Sequence, residues 1–201
     1  MAFISVVLFT VNFAVLHSIL ARLAVKSHIR RAMGDRAYEA FYRLGYNALS
    51  VITFAPIFVV LTLYPGPDVW NLTGVWVVVV RVVQLIGMVG LVASLVQIDG
   101  GRFLGTKQVM AHLNGDPLPL PDEPLTTSGV YGLVRHPLYF FSILVLWFTP
   151  SMSASWLVFV VLATVYFLVG SLFEERTMLE LFGEPYREYQ QRVPWMLPFV
   201  K

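Results

Sequence analysis

The 201-residue chain is 57% hydrophobic, only 13% charged and free of cysteine, with a formal net charge of +2. A soluble domain of this size is about 45–50% apolar and about 25% charged, so too little polar surface remains here to cover a particle in water. The small net charge gives no argument for a nucleic-acid partner, and the lack of cysteine excludes disulfides and a cysteine nucleophile. The composition predicts a single all-α integral membrane domain over residues 1–201.

Crossing the hydrocarbon core takes about 20 apolar residues, and three such stretches lie in the first half of the chain. The first lacks the basic start of a signal peptide, so we expect it to be retained as a helix. A long uncharged run follows later and is interrupted at Pro150, which predicts a turn and a C-terminal helical hairpin with one short arm. The five predicted spans are residues 1–21, 44–64, 72–98, 137–149 and 154–173.

The basic residues are distributed unevenly between the predicted loops. Every lysine and arginine except Arg81 falls on one side of the five spans. Because cytoplasmic loops of membrane proteins are enriched in Lys and Arg, we expect an outside N-terminus and a cytoplasmic C-terminus in the inner or plasma membrane.

The polar segment 126–139 predicts an anion-binding position. It reads Thr126-Thr-Ser-Gly-Val-Tyr-Gly-Leu-Val-Arg-His-Pro-Leu-Tyr139. Pro137 suits the first position of a helix, where its missing N–H costs nothing. The free N–H groups of that helix start would attract an anionic group such as a ligand carboxylate, with Arg135 and His136 beside it.

The segment 174–194 predicts a cation-binding counterpart. Glu174 and Glu175 follow the last apolar arm directly, and two adjacent carboxylates at a membrane boundary are retained more easily beside a positive charge. That charge could belong to Arg135 or Arg176, or to a cationic or hydroxyl-bearing ligand. A sulfonium-bearing zwitterion and a phospholipid headgroup would both suit a site with these two ends.

An apolar stripe follows the two glutamates at intervals of three or four residues. This spacing is typical of an interfacial amphipathic C-terminal helix, which could also form the wall of a pocket. The stripe consists of Met178, Phe182, Tyr186, Tyr189 and Val193.

Three motifs in order resemble the isoprenylcysteine carboxyl methyltransferase-like superfamily, whose members are membrane enzymes that use S-adenosylmethionine. They are Arg135-His-Pro-Leu-Tyr139, Glu174-Glu175 and Phe182-Gly-Glu-Pro-Tyr-Arg-Glu-Tyr189. Three further segments are similar to methanethiol S-methyltransferases and related NnrU-type membrane proteins. These are His17-Ser-Ile-Leu-Ala-Arg22, Arg43-Leu-Gly-Tyr-Asn47 and Phe103-Leu-Gly-Thr-Lys-Gln108. The methanethiol enzymes carry an additional N-terminal span without a counterpart among the predicted five, which leaves the acceptor open.

The resemblance implies methyl transfer from S-adenosylmethionine to a small or apolar thiol, as from methanethiol to dimethyl sulfide, at the cytoplasmic face. It implies a cofactor site formed by Gly129, Tyr131, Val134, Arg135, His136, Pro137, Tyr139, Glu174, Glu175, Tyr186 and Tyr189. Positioning carries most of such a reaction, provided that the thiol is kept ionised. The candidates for that role are His17, Arg22 and His112, although His17 could instead be a polar residue between packed helices and His112 an exposed loop residue.

Other functions stay open on the sequence alone. One is a lipid or prenylcysteine-type methyltransferase of the same superfamily. Another is a haem-binding NnrU-type isomerase or redox-associated membrane protein, which would need axial ligands such as His17 and His112; a non-enzymatic membrane protein is a third. The expected partners are the thiol or lipid-like acceptor and membrane lipid, with no protein partner evident. No histidine or aspartate cluster with metal-ligand spacing is visible, so we predict no metal site.

Overall fold

The computed structural model describes residues 2–200, so residue 1 of the first predicted span and residue 201 lie outside the description. Four described helices are long and apolar enough to cross a bilayer, as expected of an integral membrane protein. The mostly helical prediction is right, but it missed two short strands. In chain order the elements are α1 Ala2–Ala21, α2 Leu23–Met33, α3 Asp35–Leu63, β1 Asp68–Asn71, α4 Val75–Gln97, α5 Gly100–Leu104, α6 Thr106–Asn114, a 3-10 turn Gly129–Gly132, α7 Pro137–Trp147, β2 Ser151–Ser153, α8 Ala154–Phe182 and α9 Glu184–Arg192.

Two predicted spans are parts of longer helices. Helix α3 begins at Asp35 instead of residue 44, and α8 continues past Phe173 to Phe182. Apolar composition marks only the part of a helix that fits lipid, whereas backbone hydrogen bonds continue through polar residues. Helix α7 has 11 residues and rises about 16 Å, well short of the about 30 Å hydrocarbon core. The count of five crossings therefore stays a prediction.

The described residues form two compact units. The first comprises residues 2–64 and Asp99–Glu123, with α1, α5 and α6 packed against α3. Arg43 Nε and Asn47 Nδ2 of α3 both donate to the carbonyl of Phe103, at 3.1 and 2.9 Å. Gly105, at φ +91°, approaches the same turn of α3 so closely that a Cβ would lie 2.4 Å from the backbone nitrogen of Leu44. Two of the motifs quoted above thus fix each other.

The second unit comprises Pro65–Ile98 and residues 124–200, and its centre is the antiparallel contact of α4 with α7. A Cβ added to Gly90 would lie 2.3 Å from Cδ1 of Phe141, and one added to Gly87 would lie 2.9 Å from Cγ2 of Val145. Together with the fully buried Ser94, these small residues let the two backbones approach, as expected for helices packed in lipid.

The two ends of α4 contact different segments of the same unit. At its N-terminal end, β1 pairs antiparallel with β2, and Trp70 Nε1 donates to the carbonyl of Thr149 at 3.0 Å. At its C-terminal end, Gln97 Oε1 accepts a hydrogen bond from the backbone N–H of Val130 at 3.1 Å. The segment 137–149 therefore runs between the two ends of a membrane-length helix, and Arg135 and His136 precede it at the Gln97 end.

Candidate functional site

Arg135 and Glu175 form the centre of a cluster in the second unit. Arg135 lies two residues before Pro137, which begins α7, and Glu175 lies beyond the apolar part of α8. The guanidinium Nε is 2.9 Å from Oε1 and Nη2 is 3.1 Å from Oε2, the two-point geometry that Arg and carboxylate prefer. Each side chain is only 11% exposed. The ion pair with Arg135, one of the alternatives for the two glutamates, is thus present.

Glu175 is saturated by further donors. Its Oε1 accepts from His136 Nε2 at 2.7 Å and from the hydroxyl of Tyr186 at 2.9 Å, and its Oε2 accepts from Gln190 Nε2. A carboxylate offers about four lone-pair positions, and with the two bonds from Arg135 all of them are in use. Glu175 therefore holds the cluster together and has no acceptor position left for a ligand.

Glu174 is the open member of the pair. Its Oε2 lies 3.4 Å from His136 Nδ1, and its side chain is 41% exposed. Burial opposes a charged imidazole, but hydrogen bonds to Glu174 and Glu175 outweigh burial and raise the pKa of His136 above the ordinary 6.5. Both ring nitrogens can then donate to carboxylates, which leaves the rest of Glu174 available to a ligand.

The chain that follows α8 is tied to Arg135 as well. Nη1 donates to the carbonyls of Gln190 and Val193 at 3.2 and 2.6 Å, and the backbone N–H of Arg135 donates to the carbonyl of Pro194 at 2.9 Å. This one residue therefore joins the start of α7, the end of α8 and the segment after α9.

The tyrosines of the cluster are neutral donors. Tyr186 and Tyr189 are each 2% exposed, and the hydroxyl of Tyr189 donates to the carbonyl of Tyr131 at 2.6 Å. Burial, reinforced by the charge of Glu174, raises the pKa of Tyr131 to about 12. Burial also raises the pKa of Tyr186 and Tyr189. Tyr186 and Tyr189 hold the helix α9 onto the cluster, and their contact with a cofactor stays a prediction.

The other predicted cofactor residues frame the same corner. Gly129, at φ +59°, leaves no room for a Cβ, which would lie 2.4 Å from the amide of Gln97. Val134 and Pro137 are fully buried, and the ring of Tyr139 stacks on His136 with centroids 5.7 Å apart. Contact of these residues with a cofactor stays a prediction.

Two glutamines of this corner are not among the residues predicted from the sequence. Gln97 accepts a hydrogen bond from the backbone N–H of Val130, and Gln190 donates one to Glu175. Gln190 lies four residues after Tyr186 and therefore on the same face of α9. A polar residue on the predicted apolar stripe was the signal that could have identified it.

The three candidates for thiol activation all lie in the first unit. His17 is hydrogen-bonded between α1 and α3, with Nδ1 2.9 Å from Ser50 Oγ and Nε2 2.5 Å from the Tyr46 hydroxyl. This matches the packing alternative for His17, and neither ring nitrogen is left to ligate haem iron. Arg22 is exposed at the start of α2. His112 lies on α6, partly buried with its ring edge-on to Phe41 at 5.1 Å, so its interpretation as an exposed loop residue is wrong.

The fold and the cluster define the class of this protein: a helical membrane protein with a buried charge network where the apolar part of a helical hairpin ends. Residues 101–185 match the family described as "Phospholipid methyltransferase". The chain is 30% identical to the methanethiol S-methyltransferase of Pseudomonas deceptionensis, over 97% of this chain and 72% of that protein. It is 31% identical to methanethiol S-methyltransferase 1 of Bradyrhizobium diazoefficiens, over 93% and 64% of the two chains. It is 39% identical to the protein-S-isoprenylcysteine O-methyltransferase of Xenopus laevis, over 38% of this chain and 28% of that protein.

The chain therefore belongs to the methanethiol S-methyltransferase family, within the isoprenylcysteine carboxyl methyltransferase-like superfamily. The prediction of a membrane methyltransferase is confirmed by this membership. The chain spans 72% and 64% of the length of the two methanethiol enzymes. No solved structure gives a significant match.

Proposed function

We propose that the protein transfers the methyl group of S-adenosylmethionine to methanethiol or a comparably small thiol. The observation that carries the proposal is the cluster itself, in which Arg135 and His136 meet Glu174 and Glu175 at the start of α7. S-adenosylmethionine is a zwitterion that bears a carboxylate, an ammonium group, ribose hydroxyls and a sulfonium. A site that combines donors for an anion with an open carboxylate suits this distribution of charge.

The two glutamates have different roles in this proposal. Glu174 would accept hydrogen bonds from the ammonium group or the ribose hydroxyls, because its carboxylate is the exposed one. Glu175 is a positioning residue that fixes Arg135 and His136 through three hydrogen bonds and α9 through two more. The N–H groups of the first turn of α7 lack partners within the helix, and together with the His136 imidazolium they would attract the carboxylate.

The bound cosubstrate would supply an electrophilic methyl group on its sulfonium. Displacement by a thiolate needs little acid–base assistance, so the protein contributes mainly positioning. Methanethiol is apolar and could arrive from the lipid. Arg22 and His112 remain the candidates for keeping it ionised, since both nitrogens of His17 are hydrogen-bonded to α3 side chains.

We further propose that the cluster faces the cytoplasm and the N-terminus lies outside. The pairing of β1 with β2 puts the linker before α4 and the linker before α8 on one side, and neither strand contains a lysine or arginine. The cluster lies at the other end of α4, next to basic segments. The positive-inside rule then supports five crossings, with the segment 137–149 as the fourth.

The test is a binding measurement on the full chain purified in detergent. Calorimetry should show that S-adenosylmethionine binds, and Glu174→Gln should weaken this binding at least about tenfold, a factor that corresponds to about 1.4 kcal/mol, while the variant still folds and melts cooperatively. Glu180→Gln, an exposed change on the same helix, is the matched control. Cells given methanethiol should release dimethyl sulfide into the headspace. Unchanged affinity in Glu174→Gln would remove the cluster as the binding site, and no binding at all would remove the proposal.

A lipid or prenylcysteine-type acceptor is the second candidate. It is favoured by the phospholipid methyltransferase match over residues 101–185 and by the similarity to an isoprenylcysteine enzyme. Methyl-labelled S-adenosylmethionine distinguishes the two acceptors in one preparation. Label recovered as volatile dimethyl sulfide supports the thiol, whereas label retained in extracted lipid or prenylcysteine supports the alternative.

A further inference from the structure

Two buried polar atoms on one face of α6 lack partners. Among the described side chains, three buried polar atoms have no hydrogen-bond partner in the protein, and Gln108 Oε1 and His112 Nδ1 are two of them. The amide orientation of Gln108 is fixed because its Nε2 donates to the carbonyl of Arg102 at 3.1 Å. The unpartnered atom is therefore an oxygen, which can only accept.

The spacing and surroundings of the two atoms indicate a small site. Gln108 and His112 are four residues apart on a helix, so their side chains share one face. The ring of Phe41 stands edge-on to the His112 ring at 5.1 Å, and Ala111 beside them is buried. Buried polar groups in proteins are nearly always hydrogen-bonded. Two unpartnered polar atoms one helical turn apart, beside the ring of Phe41, therefore point to a ligand that supplies a hydrogen-bond partner to both.

The chemistry of the two atoms selects the ligand. The amide oxygen needs a donor, while imidazole Nδ1 can carry a proton and donate. A thiol or hydroxyl group supplies one hydrogen and one lone pair on the same atom, and so can satisfy both at once. We propose that Gln108 and His112 form a binding site for a small thiol, which is bound protonated, with S–H donating to Oε1 and Nδ1–H donating to sulfur. The Nδ1–H donor is the group of this site that would favour the thiolate once the proton is lost, because a hydrogen bond to the charged form stabilises it. The inference rests on the proposed function, which requires such a thiol as acceptor.

A thermal-shift titration with methanethiol in sealed cells tests this directly, on the full chain in detergent and without cosubstrate. The wild type should be stabilised saturably, and the stabilisation should disappear in Gln108→Leu and in His112→Phe, which keeps an aromatic ring against Phe41. Asn114→Leu, an exposed change on the same helix, should respond like the wild type. Melting without ligand reports whether each variant folds.

Turnover supplies a second measurement. Gln108→Leu should raise the KM for methanethiol about five- to tenfold, the loss expected for one hydrogen bond, while the affinity for S-adenosylmethionine stays unchanged. A response to methanethiol that persists in both variants would overturn the site. The site would also be overturned if the wild type binds S-adenosylmethionine but does not respond to methanethiol. A buried water would then be the partner of the two atoms. A different outcome would separate the two proposals. If the wild type does not bind S-adenosylmethionine but its response to methanethiol is lost in both variants, the proposed function is overturned and this site stands.

Discussion

Arg135 and Glu175, 40 residues apart in the chain, meet through two hydrogen bonds of 2.9 and 3.1 Å. The pair joins the first turn of α7 to the polar end of α8. His136, Tyr186 and Gln190 also bond to Glu175, so loss of the pair should disturb both the start of α7 and the packing of α9.

Replacing Arg135 by methionine should destabilise the protein by about 3–5 kcal/mol, because it leaves a buried carboxylate without its counter-charge. The carbonyls of Gln190 and Val193 would lose their donor as well. Thermal unfolding in detergent measures the loss. The control is Arg187→Met, whose partner Glu184 and own side chain are both 65% exposed; exposed pairs contribute about 0–1 kcal/mol. Similar melting temperatures for the two variants would contradict the role of Arg135.

The cluster should become less stable as pH rises through the raised pKa of His136. A histidine whose pKa is raised in the folded state stabilises that state fully below its unfolded value of about 6.5. The contribution then declines as pH rises through the higher folded value. The difference in melting temperature between wild type and His136→Gln should therefore be largest below pH 6.5 and shrink above it. The exposed His28→Gln is the control, and a difference independent of pH would show that His136 is not charged in the cluster.

Gly90→Ala should disrupt the contact of α4 with α7. Its Cβ would lie 2.3 Å from the ring of the buried Phe141, so the ring or the helix must shift, and overpacking of this kind costs about 1–3 kcal/mol. Gly45→Ala makes the same change within α3 where nothing lies within 4 Å of the new atom, and it should be neutral or slightly stabilising. Equal melting temperatures for both variants would refute the close contact.

Gly105→Ala and Gly115→Ala separate backbone strain from a steric clash. The two glycines flank α6 with φ of +91° and +80°, so alanine is strained at both. Only at position 105 would the Cβ meet backbone, 2.4 Å from the nitrogen of Leu44. We expect the loss of stability at 105 to exceed that at 115 by more than about 1 kcal/mol. Comparable losses would mean that the turn does not pack on α3 as described.

The sequence by itself determined the membrane character and most of the helices, because lipid imposes length and apolar composition on each segment separately. The contact at Gly87 and Gly90 obeys the same local logic, since small residues at helical spacing let helices approach closely in lipid. The resemblance of three motifs led to the correct family. Composition did not show that α3 and α8 run on through polar residues, because a helix needs no apolar side chains to continue.

Only the tertiary structure decided how the charged residues pair. The sequence left Glu174 and Glu175 equivalent, whereas packing saturates one and exposes the other. It also left His17 open between a catalytic and a packing role, and the two hydrogen bonds from α3 side chains supply the packing partners. Such choices depend on which atoms arrive together from segments tens of residues apart. Local pattern carries no information about them, because hydrogen bonds and ion pairs act over a few ångströms in space and not along the chain.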